Sequence, residues 1–504
     1  MAKKARPAVL CDPFVSARES FDELVVLLRG DAAPRTHAGL EETVIERGTE
    51  LMRQLLQARV DLLFERERIQ RAQAPREPGV EVRARARQLE TQVGRLVVWR
   101  HGIKRDGDKA AYFPMDEELN LPADLYSHPL RERTADQVRG QAWDHVVEHI
   151  DERTGGHVPK RQAEQLAVRA SQDFEAFYEQ PANDTLSAKA QLVLSSDSKG
   201  IRMRPEALRE ATRKAAEAEQ AESVHADPMA PKKARRHDKR MAIVTAVWEQ
   251  EPNPRTAQDI LANLRPNNSK AVRKRKKAKK RRAPRPQNKR LWASVDKDQS
   301  KGIAEMFDEA DRRDPERSRN AVVLVDGEES QETAILDEGR RRGRSLTLVL
   351  DIIHALSYLW GAGFALCRKD ARRTEAWVVR FLEKLLTQPV ESVVADIQRS
   401  AAQRGLSAKE RKPVDKCLKY YRRRLFMMRY PQFLAQGLPI ATGVIEGACR
   451  HLVQDRLGIT GARWDLPGAE AVLKLRALHS SGDWKLYWHF HQQQEAARNY
   501  PKAA

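Results

Sequence analysis

Two aspartates in this sequence directly follow short apolar runs. Asp326 follows Ala321–Val325, and Asp351 follows Leu346–Leu350. Runs of about five β-branched and leucine residues, bounded by turn residues, are typical of buried strands in a sheet covered on both faces. In open α/β sheets, functional groups gather at the carboxyl ends of the strands. The spacing therefore predicts two carboxylates at one edge of a sheet.

Three further side chains could join them. Asp197 lies on a predicted strand, Glu446 falls just off the apolar face of a predicted helix, and His354 is the third residue of the helix after Asp351. Carboxylates from separate elements can hold two Mg²⁺ ions about 4 Å apart, with Mn²⁺ as a substitute, for an in-line displacement at phosphate. We predict Asp197, Asp326 and Glu446 as metal ligands. Asp351 remains an alternative second ligand, and the position after the fourth strand favours Asp326.

Each acid also has a purely structural explanation. Asp326 precedes a glycine and Asp197 lies in the sequence SSDSKG, so both could be turn residues. Glu446 could pair with Arg450 one helical turn away. Asp351 could cap the helix that follows it, because aspartate is a favoured N-cap. Taken singly, these explanations are the better ones; taken together, the order of the elements and the basic composition favour the metal site.

The elements that must position these acids are predicted from apolar periodicity. The order is three strands, then strand, helix, strand and helix, with acids on the first strand, after the fourth and on a late helix. This is the ribonuclease H-like pattern, an α/β core with a mixed five-stranded sheet, here with a largely helical N-terminal region and an all-α insertion before the last catalytic helix. The five strands are predicted at Leu192–Leu194, Gly200–Met203, Met241–Trp248, Ala321–Val325 and Leu346–Leu350.

The same periodicity predicts the domain organisation. We expect an N-terminal helical region (1–75), a β-hairpin with a helical, helix-turn-helix-like region (76–185), the catalytic core (186–367 and 437–480) with a basic disordered insert (265–290), an all-helical insertion (368–436) and a C-terminal aromatic tail (481–504).

The composition points to a polyanionic partner. The chain has 91 Lys and Arg against 71 Asp and Glu, a net charge of +20, which favours nucleic acid. The four cysteines show no CxxC spacing, which argues against a zinc site and a disulfide framework. No apolar run reaches the length of a membrane span, and the start lacks the apolar core of a signal peptide. We therefore expect a cytoplasmic protein without a membrane partner.

Three basic segments are candidates for binding DNA. The helix predicted from Pro159 opens with Lys160 and Arg161, as in the second helix of a helix-turn-helix, although an ordinary amphipathic helix explains it equally well. The insert should bind phosphates without reading sequence, and the helical insertion ends in three arginines. The remaining candidates are Lys274, Arg275, Lys276, Lys277, Lys279, Lys280, Arg281, Arg282, Arg422, Arg423, Arg424 and Arg463.

Several motifs together resemble the ISKra-type transposases of bacterial insertion sequences, which belong to the DDE class. They are TGGHVPKRQ, NKRLWASV, LVDG, the D-x-x-H of Asp351 and His354, LPIATGVIEGACRHLVQDRL and TGARWDLPGAEAVLKLRALHSSGDW. The resemblance covers most of residues 90–495, and its implied acids are Asp197, Asp326 and Glu446. The sequence differs from the family at Ser198, where glycine is usual, and in a longer basic insert.

The resemblance implies DNA transposition. The protein would bind the terminal inverted repeats of its element, cleave the DNA strands in a metal-dependent reaction and join them to target DNA, as a homodimer or higher oligomer in the bacterial nucleoid. Asp351 and His354 would support the metal site. Two alternatives remain, a catalytically inactive DNA-binding repressor and a ribonuclease H-like nuclease that cuts without joining strands.

Overall fold

The computed structural model describes residues 12–75, 77–180, 190–224, 237–264, 284–459 and 461–501. The chain divides into two compact units, the first formed by residues 1–174 and 485–504 and the second by residues 175–484. Within the described ranges, no helix combines the length and the apolar character needed to cross a membrane.

The first unit is built on a long helix packed against a two-stranded hairpin. Its elements are α1 (Val15–Arg29), α2 (His37–Gln73), β1 (Val80–Thr91), β2 (Gly94–Arg105), α3 (Pro114–Glu118), α4 (His128–Val138), α5 (Trp143–Arg153) and α6 (Lys160–Ala170). The predicted hairpin is confirmed, with Thr91 opposite Gly94 across its turn. Phe64 of α2 and Val98 of β2 are buried in a shared core. The apolar residues that alternate along β2 therefore pack against the apolar face of α2.

The C-terminal segment belongs to this first unit. The residues predicted as an aromatic tail form a helix that ends at Asn499. Tyr487 is buried and donates a hydrogen bond to the carbonyl of Ala170 (2.6 Å). Glu495 accepts two hydrogen bonds from the buried guanidinium of Arg131 (2.6 and 2.8 Å). The tail is therefore a structural part of the unit.

The second unit contains a sheet surrounded by helices. Its elements, in chain order, are α7 (Phe174–Tyr178), β3 (Gln191–Arg202), α8 (Glu210–Val224), β4 (Lys239–Gln250), α9 (Ala257–Leu264), β5 (Gln287–Ser294), α10 (Gln299–Arg313), β6 (Ala321–Val325), α11 (Glu329–Arg342), β7 (Leu346–Leu350), α12 (Ile352–Leu366), α13 (Ala371–Thr387), α14 (Val390–Gln403), α15 (Ala408–Arg423), α16 (Tyr430–Ala435), α17 (Gly443–Ala448), α18 (Asp455–Leu457), α19 (Leu466–Ser481) and α20 (Trp484–Asn499), the last extending into the first unit.

The sheet has five strands in the order β5-β4-β3-β6-β7. β3 pairs with β4 and β4 with β5 in antiparallel fashion, whereas β3 with β6 and β6 with β7 are parallel. All five residues of β6 are buried, because helices cover both faces of the sheet centre. The prediction of a mixed α/β protein with a five-stranded mixed sheet is confirmed.

Two details of the predicted strands are wrong. The segment Gly200–Met203 is not a return strand, because Gly200 continues β3 and lies opposite Met241 of β4. The missing strand is β5, Gln287–Ser294, which begins inside the segment predicted as a disordered insert. Its first four residues, QNKR, are polar and basic and hide the strand pattern. Residues 265–283, which contain the rest of the insert, lie outside the described part of the chain.

The segment that carries Glu446 is helical with an irregular centre. α17 runs directly into a π-helical turn, Cys449–Gln454, which is followed by α18. Such turns occur often at functional sites, because they shift the side chains on a helix face relative to one another. The four helices α13 to α16 precede this segment and lie within residues 368–436.

Candidate metal centre

The register of the parallel strands brings three aspartates level with one another. Ser195 lies opposite Leu324 across β3 and β6, so Asp197 is level with Asp326, two residues further along each strand. Val325 lies opposite Leu350 across β6 and β7, so Asp326 is level with Asp351. Neighbouring strands are about 4.8 Å apart. The three aspartates therefore form one short row across β3, β6 and β7, at the level where β6 and β7 end.

Asp197 is part of a strand rather than of a turn. It pairs with Val244 of β4, so the turn explanation for SSDSKG is wrong. Its Oδ1 accepts a hydrogen bond from the backbone N–H of Ser198 (2.6 Å). Ser198 itself is in β3, in extended conformation, so the glycine usual at this position is not required for the backbone here.

Two side chains contact the other oxygen of Asp197. The Nζ of Lys199 lies 3.2 Å from Asp197 Oδ2, and the Sγ–H of Cys449 donates to the same oxygen (3.2 Å). Burial lowers the pKa of Lys199, but the carboxylate of Asp197 and, further away, that of Asp326 raise it by more, to above its usual value. Burial and the Asp197 carboxylate raise the pKa of the Cys449 thiol. The side chain of Lys199 is thus a charged ammonium group close to the carboxylates of Asp197 and Asp326.

Asp326 lies in a turn whose backbone accepts hydrogen bonds from side chains at the end of α15. Its Oδ1 accepts from the backbone N–H of Glu328 (2.9 Å), so it does form the local turn expected for Asp-Gly. The hydroxyl of Tyr420 donates to the Asp326 carbonyl (2.7 Å), and Arg424 donates to the Gly327 carbonyl (2.7 Å). The turn and a metal-binding role are compatible, because the half-buried carboxylate uses only Oδ1 for hydrogen bonds within the described residues.

Asp351 is buried, and both of its carboxylate oxygens are used. Oδ1 accepts from the backbone N–H of Ile353 (2.6 Å), which makes Asp351 the N-cap of α12 as the sequence suggests. Oδ2 accepts from the backbone N–H of Thr442 (3.1 Å) and from its hydroxyl. Asp351 therefore ties the end of β7 to the residue that precedes α17, the helix of Glu446.

Glu446 meets Asp351 and His354 at this edge. One ligand atom from each of the three side chains lies within 4.8 Å of the others, with Asp351 buried, His354 half-buried and Glu446 exposed. The alternative partner of Glu446 is engaged elsewhere, because Arg450 pairs with Asp455 (3.5 Å). Cys449, one turn after Glu446, is the residue that contacts Asp197. One helical segment thus contacts both ends of the row of aspartates.

The donor set suits a hard divalent cation. Among the described residues, Asp351, His354 and Glu446 form the group whose ligand atoms could hold one ion, whereas Asp197 and Asp326 are level with Asp351 in the strand register but are not part of that group. Mg²⁺ and Mn²⁺ prefer carboxylate oxygens as ligands. The carboxylates and the imidazole fit such an ion by type, but of the three predicted ligands only Glu446 lies in this group, and both oxygens of Asp351 already accept hydrogen bonds. Sequence reasoning missed Lys199, Cys449 and Thr442. Only Lys199 has a local signal, because two residues after Asp197 on a strand means the same face.

The predicted DNA-binding residues lie in several places. Lys160 forms an ion pair with Asp144 (2.7 Å), and α6 begins at Lys160 with Pro159 as its N-cap rather than as its first residue. Arg161 and Arg463 are exposed. The predicted contacts between Lys274 and Arg282 lie outside the described residues.

The three arginines at the end of α15 are not equivalent. Arg422 donates to Gln398 (2.6 Å) and Arg423 pairs with Glu329 (2.9 Å), and both remain exposed. Arg424 is buried, with its guanidinium on Glu332 and over the ring of Tyr420. Its role visible here is to hold the Asp326 turn in place.

Comparison with known proteins adds no assignment. Neither a scan against protein-family models nor a search of curated proteins finds a match to this chain.

Proposed function

We propose that this chain is a DDE-class transposase with a ribonuclease H-like core, which binds the ends of its element, cleaves them and joins them to target DNA. The observation that carries the proposal is the row of Asp197, Asp326 and Asp351 on adjacent strands, with Glu446 brought to the same edge by a helix. The sheet supports it, since three antiparallel strands are followed by two parallel strands reached through helices.

In this proposal Asp197, Asp326 and Glu446 would hold two Mg²⁺ ions, which would supply charge stabilisation for an in-line displacement at phosphate. The chain itself orients the ligands. Asp351 fixes Thr442 and thereby the start of α17, and a ligand atom of His354 lies within 4.8 Å of one of Glu446. Tyr420 and Arg424 fix the backbone at Asp326.

The basic charge of the chain indicates DNA as the partner. A net charge of +20 favours DNA, and the exposed Arg422 and Arg423 lie on the helix that contacts the Asp326 turn. Because two element ends must be joined to one target, we propose that the active form contains at least two copies of the chain.

The test is a cleavage and joining assay with labelled DNA. Wild-type protein is incubated in Mg²⁺ with a duplex that carries one end of the element, with its flank, and with target DNA. We expect cleavage at the element end and covalent joining to the target. Asp326→Asn should abolish both while end binding persists.

The outcomes separate the alternatives. Binding without cleavage by the wild-type protein would identify a repressor, and cleavage without joining or without need of the element end would identify a nuclease. Full activity of Asp326→Asn would contradict the proposed site.

A further inference from the structure

α15 carries a row of cations along one side. Lys412, Lys416, Lys419 and Arg423 follow one another at intervals of four, three and four residues, which places them on one stripe of the helix. All four are exposed. The opposite side of the helix packs into the unit, and its buried residues are Val414, Cys417, Leu418, Tyr420 and Tyr421.

Little within the chain balances this charge. Arg423 pairs with Glu329 (2.9 Å), and Lys416 lies over the ring of Tyr358 (5.3 Å). Across the residues that the structure describes, no salt bridge within 4.0 Å joins Lys412, Lys416 or Lys419 to a carboxylate. Like charges one turn apart repel each other, so the stripe does not serve the stability of the helix. It is suited to an external anion.

A basic groove lies beside the stripe, between α14 and α15. Its volume is about 270 Å³, and Arg411, Lys419, Arg422 and Arg423 line it together with Gln398 and one acid, Asp415. Asp415 is 3.3 Å from Arg411 and neutralises that side chain locally. The groove therefore widens the cationic surface on the side of Lys419 and Arg422.

One end of the stripe lies close to the Asp326 turn, because Arg423 pairs with Glu329, three residues after Asp326 (2.9 Å). Tyr420, between Lys419 and Arg423 in the sequence, donates to the carbonyl of Asp326 (2.7 Å). From Lys412 to Arg423 the helix rises roughly 16 Å at 1.5 Å per residue. One strand of a DNA duplex carries a phosphate at every nucleotide, so a stripe of this length can contact several successive phosphates.

We propose that the stripe Lys412, Lys416, Lys419 and Arg423 binds the phosphate backbone of DNA and guides that strand to the carboxylate site. This inference rests on the proposed function and adds the residues that hold the DNA. Lysine ammonium groups act as point charges, so the contact is independent of base sequence.

The test is the salt dependence of DNA binding, measured by fluorescence anisotropy in EDTA between 50 and 200 mM NaCl. The variant K412Q/K416Q/K419Q should reduce the slope of log K against log salt by about 0.9 per lysine. Over this fourfold salt range, wild-type affinity should then fall about 40-fold more than that of the variant. The control R317Q/R340Q/R341Q removes three exposed cations before β6 and β7 and should keep the wild-type slope.

Circular dichroism establishes that each variant is folded. If the triple variant is not, K412Q/K419Q leaves Lys416 on Tyr358 and should reduce the slope by about two. An unchanged slope, or an equal decrease in the control, would overturn the stripe even if the wild-type protein binds and cleaves DNA. Failure of the wild-type protein to bind DNA would overturn both this inference and the proposed function.

Discussion

Replacing Lys199 with methionine removes the cation that stands among the carboxylates. The Nζ of Lys199 is 3.2 Å from Asp197 Oδ2, and the ammonium also interacts with Asp326. If Asp197 and Asp326 bind divalent ions, this ammonium opposes them. A divalent ion and a unit charge about 5 Å apart repel by about 1.7 kcal/mol at the dielectric constant of water. The side chain of Lys199 is 37% exposed, so this screened value is the appropriate one.

A change of 1.4 kcal/mol corresponds to a factor of ten. We therefore expect Lys199→Met to bind Mn²⁺ roughly tenfold more tightly than wild type in isothermal titration calorimetry. Without metal the same variant should be less stable, because the carboxylates lose their counter-charge. Lys199→Arg keeps the charge and should change metal affinity little. Equal or weaker Mn²⁺ binding by Lys199→Met would refute the argument that the ammonium and the metal compete for these acids.

Two further predictions concern the framework. In the first unit, burial raises the pKa of Asp173, but hydrogen bonds from His491 (2.6 Å) and Arg498 (2.6 and 2.9 Å) together lower it by more. Asp173→Asn should lower the free energy of unfolding by about 2 kcal/mol at pH 7. In urea titrations the difference from wild type should disappear as the pH falls below about 4, because a carboxylate with a lowered pKa stabilises the fold only while it is ionised. A difference that is independent of pH would contradict this. Gly327 has φ +90°, and a Cβ there would meet the Tyr420 ring, so Gly327→Ala should lower the free energy of unfolding by about 1–3 kcal/mol in the same urea titrations. The control Gly361→Ala, in open space on α12, should be neutral or stabilising. Equal effects of the two changes would rule out the close approach of Gly327 to Tyr420.

The sheet could be predicted where apolar runs are unbroken. β6 and β7 are five-residue runs bounded by turn residues, and a strand buried on both faces requires that composition. β5 was missed because its first residues are polar and basic. Gly200 indicated a turn, yet it continues β3, because pairing with β4 decides the conformation where local preference is weak.

The candidate site was only partly predictable. Asp326 and Asp351 could be located because the ends of unbroken apolar runs can be read from the sequence, and the helix cap at Asp351 is an alternative that the same local pattern offers. Asp197 lies inside β3, and its place in the row depends on the pairing with β6. The bond from Thr442 to Asp351 joins residues 91 positions apart, and no local pattern reports it. Arg424 was predicted to contact DNA, because its arginine neighbours suggest an exposed basic segment. The structure buries it instead, in contact with Glu332 and the Gly327 carbonyl.

The most direct test of the metal centre is a Mn²⁺ titration of wild type and of Asp197→Asn, Asp326→Asn and Glu446→Gln. Asp337→Asn, which changes an exposed acid on α11, is the matched control. We expect wild type and the control to bind Mn²⁺ alike, and each of the three site variants to lose at least one tight binding event. Retention of wild-type Mn²⁺ binding by all three site variants would contradict the proposal that these carboxylates hold the metal.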